Sequence, residues 1–569
     1  MPHHIPASFA ADDSVVATGP GGQLAHEATF EHMDRLVERL YEVTDGVWCM
    51  VGNGLSNQTI VAAPDGLIVI DTGESTEEMA AALTAVRAHT DLPVAAVIYS
   101  HFHYVGGTAA LTDEAAGELP IWGHERIAHN LERNSVEVGP AAGRGLVHQF
   151  GMFLPPDGPD GLVGVGLGRF FKNPAHGLGT PGHLPVTQPI DEQVEVEIAG
   201  ARVRLSPAPS DADDNVTIFF PDLGVCVNNI VWPTLFNVFA IRGEEYRDPR
   251  ILITGMEEIL EFEPEHLVGA HGPPRSGADE IRAVIEDARD AIQYLWDQTV
   301  RGINKGLTAV ELGEFVQLPQ RFERTYFTQQ HYGLVEHHVR QIHAGLRGWF
   351  DGDEASLFPL PTAERARRLV EGFGGRDEVT AQCRTALDGD DLRWALELAT
   401  WLVRADGDDG DRGLLASVLR TLAQRTTAAN LRNWCLTRAL ELEATIDLSR
   451  LREHRFGRTQ VLAGDPAAFI AGLRVMLDPA RAEGVGGHIR WVITDGPTCG
   501  LHLRGQVAIP TDGTDADHEL RLSHETLGDL FGGRTALAEG IADGRVEVDG
   551  DVAAVRQILA CFDVAAFTA

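Results

Sequence analysis

Two histidines separated by one residue follow an apolar segment of strand length. The segment reads Val-Ala-Ala-Val-Ile-Tyr at 94–99 and leads through Ser100 into His101 and His103. A short apolar run rich in valine and isoleucine predicts a buried strand. Two imidazoles at this spacing on a loop can bind one metal ion, and neutral imidazole suits zinc, iron, nickel or copper. The pair alone is a weak signal, because histidines in solvated or capping positions are common.

Two other predicted strands also end in residues that could serve such a site. Asp71 follows the apolar run at 67–70, and His271 follows the apolar run at 267–270. Functional residues are concentrated on loops that a rigid scaffold positions, so polar residues at strand ends are natural members of one site. These two positions strengthen the interpretation of the histidine pair as metal ligands.

The elements that must position these residues alternate in type along the first part of the chain. Residues 41–51 and 59–71 have strand-like spacing, and the Asp-Gly pair at 65–66 predicts a hairpin turn. Ser75 is a predicted N-cap for a helix that runs to about His89 with one apolar face. This β-β-α-β order predicts a sandwich of mixed sheets with helices on the outside.

Helical spacing replaces the strand pattern after His271. Residues 276–305 and 332–350 carry apolar side chains at steps of three and four, and helical segments continue to about Glu443. Beyond about residue 460, predicted strands at 489–493, 501–509 and 519–522 mix with helices, which predicts a small α+β domain. The predicted domains are a β-rich catalytic domain at 24–290, a helical domain at 291–450 and the α+β domain at 455–569.

Charge and apolar content restrict the partners that this chain is expected to have. Its 569 residues carry a formal charge of -37 at pH 7, which repels phosphate backbones and anionic membrane surfaces at long range. The apolar runs are far shorter than the roughly 20 residues that cross a bilayer. Residues 1–22 lack a basic start followed by an apolar stretch, so no secretory signal is expected. We therefore expect a cytoplasmic protein with no nucleic-acid or membrane partner.

Several stretches of the sequence carry a resemblance to one family. They read Asn-Gly-Leu-Ser-Asn at 53–57, Asp-Thr-Gly-Glu-Ser at 71–75, Ala-Ile-Arg-Gly at 240–243, His-Gly-Pro at 271–273 and Asp-Ala-Ile-Gln-Tyr at 290–294. The strand-end ligands resemble those of the metallo-β-lactamase superfamily, and these stretches are similar to its alkylsulfatases, over nearly the whole chain from about Leu24. The resemblance implies an α/β fold: a metallo-β-lactamase αββα sandwich, a helical dimerisation domain that makes a homodimer, and a small sterol-carrier-like α+β domain.

The resemblance also identifies metal ligands, but the first histidine motif departs from the family. The family pattern is His-x-His-x-Asp-His-x-Gly-Gly and holds two zinc ions, whereas residues 101–107 read His-Phe-His-Tyr-Val-Gly-Gly, two residues shorter. Aligned from the preceding strand, His101 and His103 match the first histidine pair. Aligned from the two glycines, His103 takes the aspartate position and Tyr104 that of the second-metal histidine. We prefer the first alignment, because the strand runs straight into the family pattern.

The remaining ligands imply a site for one metal ion. Asp211 matches the family's first acidic ligand and His271 matches its last histidine. The bridging carboxylate falls on Asn229, whose neutral amide binds zinc poorly. The resemblance therefore implies that His101, His103, Asp211 and His271 hold one divalent metal, with zinc expected, which would polarise an oxygen or acidify a water molecule. A two-metal site is not expected.

Three further residues are predicted to act on the substrate. Asn237 and Arg242 align with the family's sulfate-binding asparagine and arginine. An arginine fork suits a tetrahedral anion, although it would also bind a carboxylate or a nitro group. The alternative for Arg242 is a structural ion pair with one of the many carboxylates. Tyr246, like the nearby Arg247, is a polar candidate for proton donation with a looser family match.

The motifs therefore predict a divergent alkylsulfatase-like hydrolase that cleaves a C–O or S–O bond of a small amphipathic ester, with an alkyl sulfate preferred. One alternative is a hydrolytic O-demethylase of an activated aryl methyl ether such as a nitroanisole. Another is a non-catalytic binding or partner subunit with a degenerate metal site. An enzyme is preferred because all four ligands stand at matching strand ends, and sulfate is preferred because Asn237 and Arg242 persist. The sequence leaves open whether a second polypeptide is required.

Overall fold

The computed structural model describes residues 8–568, apart from the side chains of residues 323 and 324. Residues 1–7 of the segment considered for a secretory signal lie outside the described residues. The described chain divides into two compact units. Unit 1 comprises residues up to 128 together with 145–447, and unit 2 comprises 129–144 together with the residues from 448 onward.

Unit 1 contains two mixed β-sheets and a short two-stranded ribbon. The ribbon pairs β1 (Val16–Thr18) with β2 (Leu24–His26), and the strands of the first sheet are β3 (Arg39–Thr44), β4 (Val47–Val51), β5 (Gln58–Ala63), β6 (Gly66–Ile70), β7 (Val94–Ile98), β8 (Ile121–His124) and β9 (Gln188–Ile190). They lie in sequence order, antiparallel from β3 to β6 and parallel from β6 to β9. The predicted Asp65-Gly66 hairpin turn connects β5 to β6.

The second sheet of unit 1 also contains both antiparallel and parallel strand pairs. Its strands are β10 (Val194–Ile198), β11 (Ala201–Pro207), β12 (Val216–Phe220), β13 (Val225–Asn228), β14 (His266–Gly269) and β15 (Arg275–Ser276). Only β13 and β14 pair in parallel, because a long connection separates them, whereas their neighbours are joined by short turns. That connection carries most of the predicted substrate-binding residues.

The two sheets pack face to face through alternating apolar residues. Ile68 and Ile98 of the first sheet belong to the same buried cluster as Val216, Ile218 and Val227 of the second. Successive side chains of a strand point to opposite faces, so this alternation fixes which face of each strand is buried between the sheets. Because β6 and β7 run parallel, as do β13 and β14, the C-terminal ends of each pair lie at the same edge of their sheet.

Helices cover both outer faces, which confirms the predicted αββα sandwich. The helices along this part of the chain are α1 (Glu27–Asp34), α2 (Thr76–Val86), α3 (Ile127–Glu132), α4 (Gly139–Gln149), α5 (Pro249–Phe262) and α6 (Ala278–Ile303). The parts of α3 and α4 within residues 129–144 belong to unit 2. Ser75 caps α2 by accepting a hydrogen bond from the Glu78 backbone N–H, as predicted, and α2 packs against β5. On the other side, α5 and α6 share a buried cluster with Leu267 and Phe219 of the second sheet.

The chain then continues in unit 1 as a series of helices. They are α7 (Ala309–Phe315), α8 (Gln320–Arg324), α9 (Val335–Arg347), α10 (Thr362–Gly372), α11 (Arg376–Asp388), α12 (Leu392–Arg404), α13 (Asp409–Arg425) and α14 (Ala429–Leu442). The prediction of one helix through residue 350 was wrong at its C-terminal end. Gly348 has a φ of 77°, a left-handed conformation that ends the helix, and Leu346 and Trp349 are exposed rather than in the core.

Unit 2 is an α+β structure, as predicted. Its elements are α15 (Arg458–Ala463), α16 (Pro466–Gly472), β16 (Gly487–Ile493), β17 (Thr498–Arg504), β18 (Val507–Thr511), β19 (His518–Leu522), α17 (His524–Phe531), α18 (Leu537–Ala542), β20 (Val546–Asp549), α19 (Val552–Leu559) and α20 (Ala565–Thr568). The single strand predicted at 501–509 was wrong, because Gly505 and Gln506 both have positive φ and turn the chain into a hairpin. Strand β20 had no counterpart in the sequence prediction.

Among the described residues, none of the helices combines the length and the apolar character needed to cross a membrane.

Candidate metal centre

Three of the four predicted metal ligands converge at the edge of the sandwich. Possible ligand atoms of His101, His103 and Asp211 all lie within 4.8 Å of one another. His101 Nε2 is 3.7 Å from Asp211 Oδ1, and His103 Nδ1 is 3.3 Å from Asp211 Oδ2. The histidines follow β7 on a single 3-10 turn, and Asp211 lies on the loop between β11 and β12. The two sheets thus supply one ligand loop each.

The protonation states of this group fit a divalent metal ion. Burial lowers the pKa of His101 to about 3, although Asp211 opposes this shift, so the imidazole is neutral. Burial would raise the pKa of Asp211, but His101 and His103 beside it hold that pKa well below its ordinary value. A neutral imidazole and an ionised carboxylate are the forms in which His101 and Asp211 would bind zinc.

A buried hydrogen-bond chain behind His101 fixes the orientation of its ring. Asp71 accepts hydrogen bonds from the Ser100 backbone N–H at 2.8 Å and from its hydroxyl at 2.6 Å. Ser100 Oγ in turn lies 2.8 Å from His101 Nδ1. With the serine proton directed to Asp71, Oγ accepts the proton of Nδ1, which leaves the lone pair of Nε2 facing Asp211. Such partners commonly orient metal-ligating histidines.

His271 lies outside this three-residue group, so its role as a fourth ligand stays a prediction. Its Nε2 is 3.1 Å from the hydroxyl of Tyr104, and its Nδ1 is 3.1 Å from the Leu55 carbonyl oxygen. Since a carbonyl can only accept, Nδ1 carries the proton and Nε2 accepts from Tyr104. Burial, and secondarily Asp211, raises the pKa of the Tyr104 hydroxyl well above its ordinary value. The phenol therefore remains the donor in this pair.

The described residues around Tyr104 do not fit a second metal ion. Asn229, at the position of the family's bridging carboxylate, donates a hydrogen bond to Asp211 Oδ1 at 2.7 Å. Its amide oxygen accepts from the Trp232 indole N–H at 2.9 Å. The amide therefore has both ends engaged in the protein, and the nearby Tyr104 offers only a protonated phenol. Divalent metals in such sites require carboxylate or imidazole ligands that these side chains do not provide.

Arg242 lies beside His103 and forms an ion pair with a carboxylate. Its Nε donates to Glu244 Oε1 at 2.7 Å, and its Nη2 lies 3.2 Å from His103 Nε2. Burial disfavours its charge, but Glu244 more than offsets this effect and the pKa of the guanidinium is raised. The ion pair considered from the sequence is therefore present. The same guanidinium also contacts His103, one of the predicted metal ligands.

The other predicted substrate-binding residues lie on the same connection between β13 and α5. Asn237 is buried, and its Oδ1 and its backbone carbonyl accept hydrogen bonds from Arg247 Nη1 at 2.9 and 2.8 Å. This contact assigns the amide oxygen to Arg247, and the NH₂ group donates one hydrogen bond to the Phe239 carbonyl oxygen at 3.4 Å. Tyr246 lines a cavity of about 100 Å³ together with Asp211 and Arg247. Burial, and secondarily Asp248, raises the pKa of Tyr246 to about 12, so its hydroxyl keeps its proton at neutral pH.

Sequence reasoning missed several contacts of this site. Gln149, at the end of α4, accepts from the Arg242 backbone N–H at 3.3 Å and donates to the Tyr332 hydroxyl at 2.9 Å. Tyr332 stood at the start of the helical pattern at 332–350, and this position gave no sign of a role beside Arg242. The ion pair between Arg242 and Glu244 could have been predicted from the sequence. Residues at this spacing can come into contact when a glycine between them turns the chain.

Glu78 lies buried beneath the turn that follows β6, and its charge is expected to reduce stability at neutral pH. Its carboxylate accepts hydrogen bonds from the Gln58 amide at 2.9 Å and from the Glu74 backbone N–H at 3.1 Å. Burial nevertheless raises its pKa from 4.5 to about 7. The folded chain therefore holds a proton that the unfolded chain releases, and stability falls as pH rises from about 4.5 to about 7.

The variant Glu78→Gln should gain stability relative to the wild type as pH rises, by about 3 kcal/mol between about pH 5 and pH 8. The glutamine amide cannot ionise, so only the wild type loses stability through this window. The comparison is made on denaturant midpoints of the tryptophan fluorescence transition. Glu197→Gln, which removes an exposed charge on β10, should show no such trend. A difference for Glu78→Gln that does not change with pH would contradict the prediction.

Three family models match successive parts of the chain. Residues 51–194 match the metallo-beta-lactamase superfamily, residues 308–445 match alkyl sulfatase dimerisation, and residues 457–568 match alkyl sulfatase C-terminal. The first match covers the loops of His101 and His103, and the last lies in unit 2. The order of the matches agrees with the order of the predicted elements along the chain.

Curated relatives extend over most of the chain. A linear primary-alkylsulfatase of Pseudomonas sp. (strain ATCC 19151) is 34% identical over 523 residues, covering 89% of this chain and 98% of the relative. An (R)-specific secondary-alkylsulfatase of Pseudomonas sp. is 29% identical, with 95% and 82% coverage. The alkyl/aryl-sulfatase BDS1 of Saccharomyces cerevisiae is 28% identical, with 93% and 83% coverage. Because these relatives are sulfatases, the ether-hydrolase and non-catalytic alternatives are not favoured.

A solved structure shows the same architecture. The stereoselective inverting sec-alkylsulfatase Pisa1 from Pseudomonas sp. superimposes with a TM-score of 0.85 at 26% identity, covering 99% of this chain and 93% of that one. The match includes the sandwich, the helical region and the α+β region. Together with the primary-alkylsulfatase relative, it establishes the chain as an alkylsulfatase-like hydrolase. The chain belongs to the alkylsulfatase family of the metallo-β-lactamase superfamily.

Proposed function

We propose that this enzyme hydrolyses an alkyl sulfate of a small amphipathic alcohol, R–OSO₃⁻ + H₂O → R–OH + SO₄²⁻ + H⁺. The observation that carries the proposal is the position of Arg242, whose Nη2 lies 3.2 Å from His103 within the three-ligand group. A cationic fork beside a metal site can hold the sulfate oxygens next to the reacting bond. The names of the curated relatives support the same substrate class.

One divalent ion, with zinc as the expected metal, would be held by His101, His103 and Asp211. Such an ion would supply positive charge that polarises an oxygen at the reacting centre. A single ion is proposed because Asn229 is hydrogen-bonded to Asp211 and Trp232, and Tyr104 is hydrogen-bonded to His271, so neither side chain offers a ligand for a second ion. In this proposal His271 either accepts a hydrogen bond from the Tyr104 hydroxyl or binds the metal ion as its fourth protein ligand.

Side chains of the protein orient the sulfate ester and transfer the proton of the reaction. The Arg242 guanidinium donates hydrogen bonds to sulfate oxygens, and the Asn237 NH₂ group, which already donates to the Phe239 carbonyl oxygen, contributes its second N–H. Arg247 adds a second buried positive charge behind Asn237, and this local charge offsets the formal charge of -37 that repels anions. Tyr246, protonated at neutral pH, is proposed to exchange a proton with water or the alcohol oxygen.

The function is tested by incubating zinc-loaded protein with hexyl, decyl and dodecyl sulfate. Sulfate release is measured by ion chromatography and alcohol release by gas chromatography, and the two should appear in equal amounts. Carrying out the reaction in ¹⁸O-labelled water shows whether the label enters the alcohol or the sulfate, which identifies the bond that breaks. No sulfate release from primary or secondary alkyl sulfates by metal-loaded protein would refute the proposal.

A homodimer is proposed from the dimerisation family model and from an exposed apolar segment. Trp349 and Phe358, which follow α9, are 72% and 92% exposed, and Leu346, Leu357 and Leu360 are exposed beside them in sequence. Large exposed apolar side chains grouped in one segment mark interaction surfaces. The segment lies within residues 308–445, which match alkyl sulfatase dimerisation.

The double variant Trp349→Asp with Phe358→Asp should therefore shift the protein from dimer to monomer in light scattering coupled to gel filtration. Two charges in an apolar interface would have to be desolvated without partners. Leu178→Asp is the matched control, because Leu178 is 96% exposed and lies outside this segment. A double variant that remains dimeric at micromolar concentration would place the interface elsewhere.

The domain boundaries proposed from the sequence remain 24–290, 291–450 and 455–569. Each of the three matched ranges falls inside one of them, at 51–194, 308–445 and 457–568, which supports this division. The two compact units divide the described chain more coarsely, since unit 1 contains both the sandwich and the helical region.

A further inference from the structure

The arginine proposed to bind the sulfate group has a built-in counter-ion. Arg242 Nε donates to Glu244 Oε1 at 2.7 Å, and the two side chains are only 10% and 12% exposed. Gly243 between them has a φ of 88°, a left-handed conformation that glycine adopts without strain. This turn brings the side chains of residues 242 and 244 together. The pair is therefore a local feature of the loop that carries the anion site.

Glu244 also approaches the metal ligands. Its Oε1 is 3.9 Å from His103 Nε2, on the side of the imidazole that Arg242 Nη2 contacts. The 2.7 Å ion pair with the Arg242 guanidinium stabilises the charged form of the Glu244 carboxylate. A permanent negative charge therefore lies within a few ångströms of any anion that Arg242 binds.

A fixed negative charge at this position affects anions according to their own charge. Coulomb repulsion in a partly buried site is proportional to the product of the charges. A dianion is therefore repelled about twice as strongly, in free energy, as a monoanion in the same place. An alkyl sulfate carries one negative charge, whereas inorganic sulfate and an alkyl phosphate above its second pKa of about 6 carry two.

We propose that Glu244 is a specificity-determining residue that selects monoanionic sulfate esters against dianions. It competes with the bound anion for Arg242, weakens the binding of product sulfate and excludes phosphate monoesters of the same shape. The inference rests on the proposed function, because it assumes that Arg242 binds the sulfate group. It goes further in assigning the charge selectivity of that site to one carboxylate.

The test is Glu244→Gln, which keeps the shape and an acceptor for Arg242 Nε but removes the charge. For this variant we expect KM for decyl sulfate to fall about fivefold. The inhibition constants of inorganic sulfate and decyl phosphate, measured at about pH 8 where both are dianions, should fall about twentyfold. The selectivity for monoanions would thus drop about fourfold. Glu245→Gln, which removes the neighbouring exposed charge, is the matched control and should change each constant less than twofold.

Binding of inorganic sulfate is also measured by calorimetry on zinc-loaded wild type, Glu244→Gln and Glu244→Ala, so the result does not require turnover. Tighter sulfate binding by both variants supports the inference, even if the wild type hydrolyses no alkyl sulfate and the proposed function fails. Unchanged or weaker sulfate binding in the variants overturns it, as does an equal change for monoanions and dianions, even if the wild type is an active sulfatase. Thermal midpoints within a few degrees of the wild type establish that the variants fold.

Discussion

Replacing His101 by alanine should remove the bound metal and lower kcat/KM for alkyl sulfates by more than about a thousandfold. His101 has no exposed surface, and its ring is oriented by Ser100 and Asp71 so that Nε2 faces Asp211. Alanine leaves two of the three convergent ligands, which is too few to fix a divalent ion in an open catalytic geometry. Metal content and activity should therefore be lost together.

The measurement pairs elemental analysis with kinetics on the same preparation of His101→Ala. His89→Ala, which removes an exposed histidine after α2, should keep both metal content and activity. The intermediate variant Ser100→Ala should lower metal affinity by about 10- to 100-fold, because loss of an orienting partner has this effect in other metal sites. Full metal content in an inactive His101→Ala protein would show that His101 acts on the substrate and does not bind the metal.

Replacing Arg242 by alanine should raise KM for decyl sulfate by about a hundredfold or more, since truncating one partner of a buried charge contact weakens binding by this order. The guanidinium carries a permanent positive charge and contacts His103, one of the proposed metal ligands. Inhibition by decanol, the neutral product, should change less than about twofold, because the alcohol has no charge for Arg242 to bind.

The loss of Arg242 also leaves Glu244 buried without its partner, so a stability effect has to be separated from the binding effect. The double variant Arg242→Ala with Glu244→Gln removes both charges and should recover thermal stability without recovering a low KM. Arg282→Ala, whose partner Glu263 is exposed, is the control for loss of an arginine on the same unit. Equal weakening of decyl sulfate and decanol by Arg242→Ala would show that the residue shapes the pocket and does not select charge.

The fold could be predicted well where a local pattern determines the element. The apolar run at 94–99 became β7, and Ser75 capped α2, because strand length and capping chemistry are properties of neighbouring residues. The C-terminal end of α9 and the hairpin at 505–506 were missed for a different reason. Both depend on backbone with positive φ, which apolar periodicity alone does not reveal.

The candidate site could be predicted only in part. His101, His103 and Asp211 were found because strand ends and a family motif mark them, and the structure brings them together. The hydrogen bond between Tyr104 and His271 joins residues 167 positions apart, and sequence spacing carries no information on such a contact. The Glu244 ion pair was considered only as a general alternative, because many carboxylates could have served as the partner of Arg242.

Metal content per subunit, determined by elemental analysis of purified protein and followed during zinc titration of the metal-free form, is the most direct test of a single-metal alkylsulfatase. Dodecyl sulfate turnover is recorded at each step of the titration. One tightly bound ion per subunit, with turnover that reaches its maximum at that ratio, is the expected result. Two tightly bound ions per subunit, or activity that requires the second ion, would contradict the proposal of a single-metal site, in which Asn229 and Tyr104 offer no ligand for a second ion.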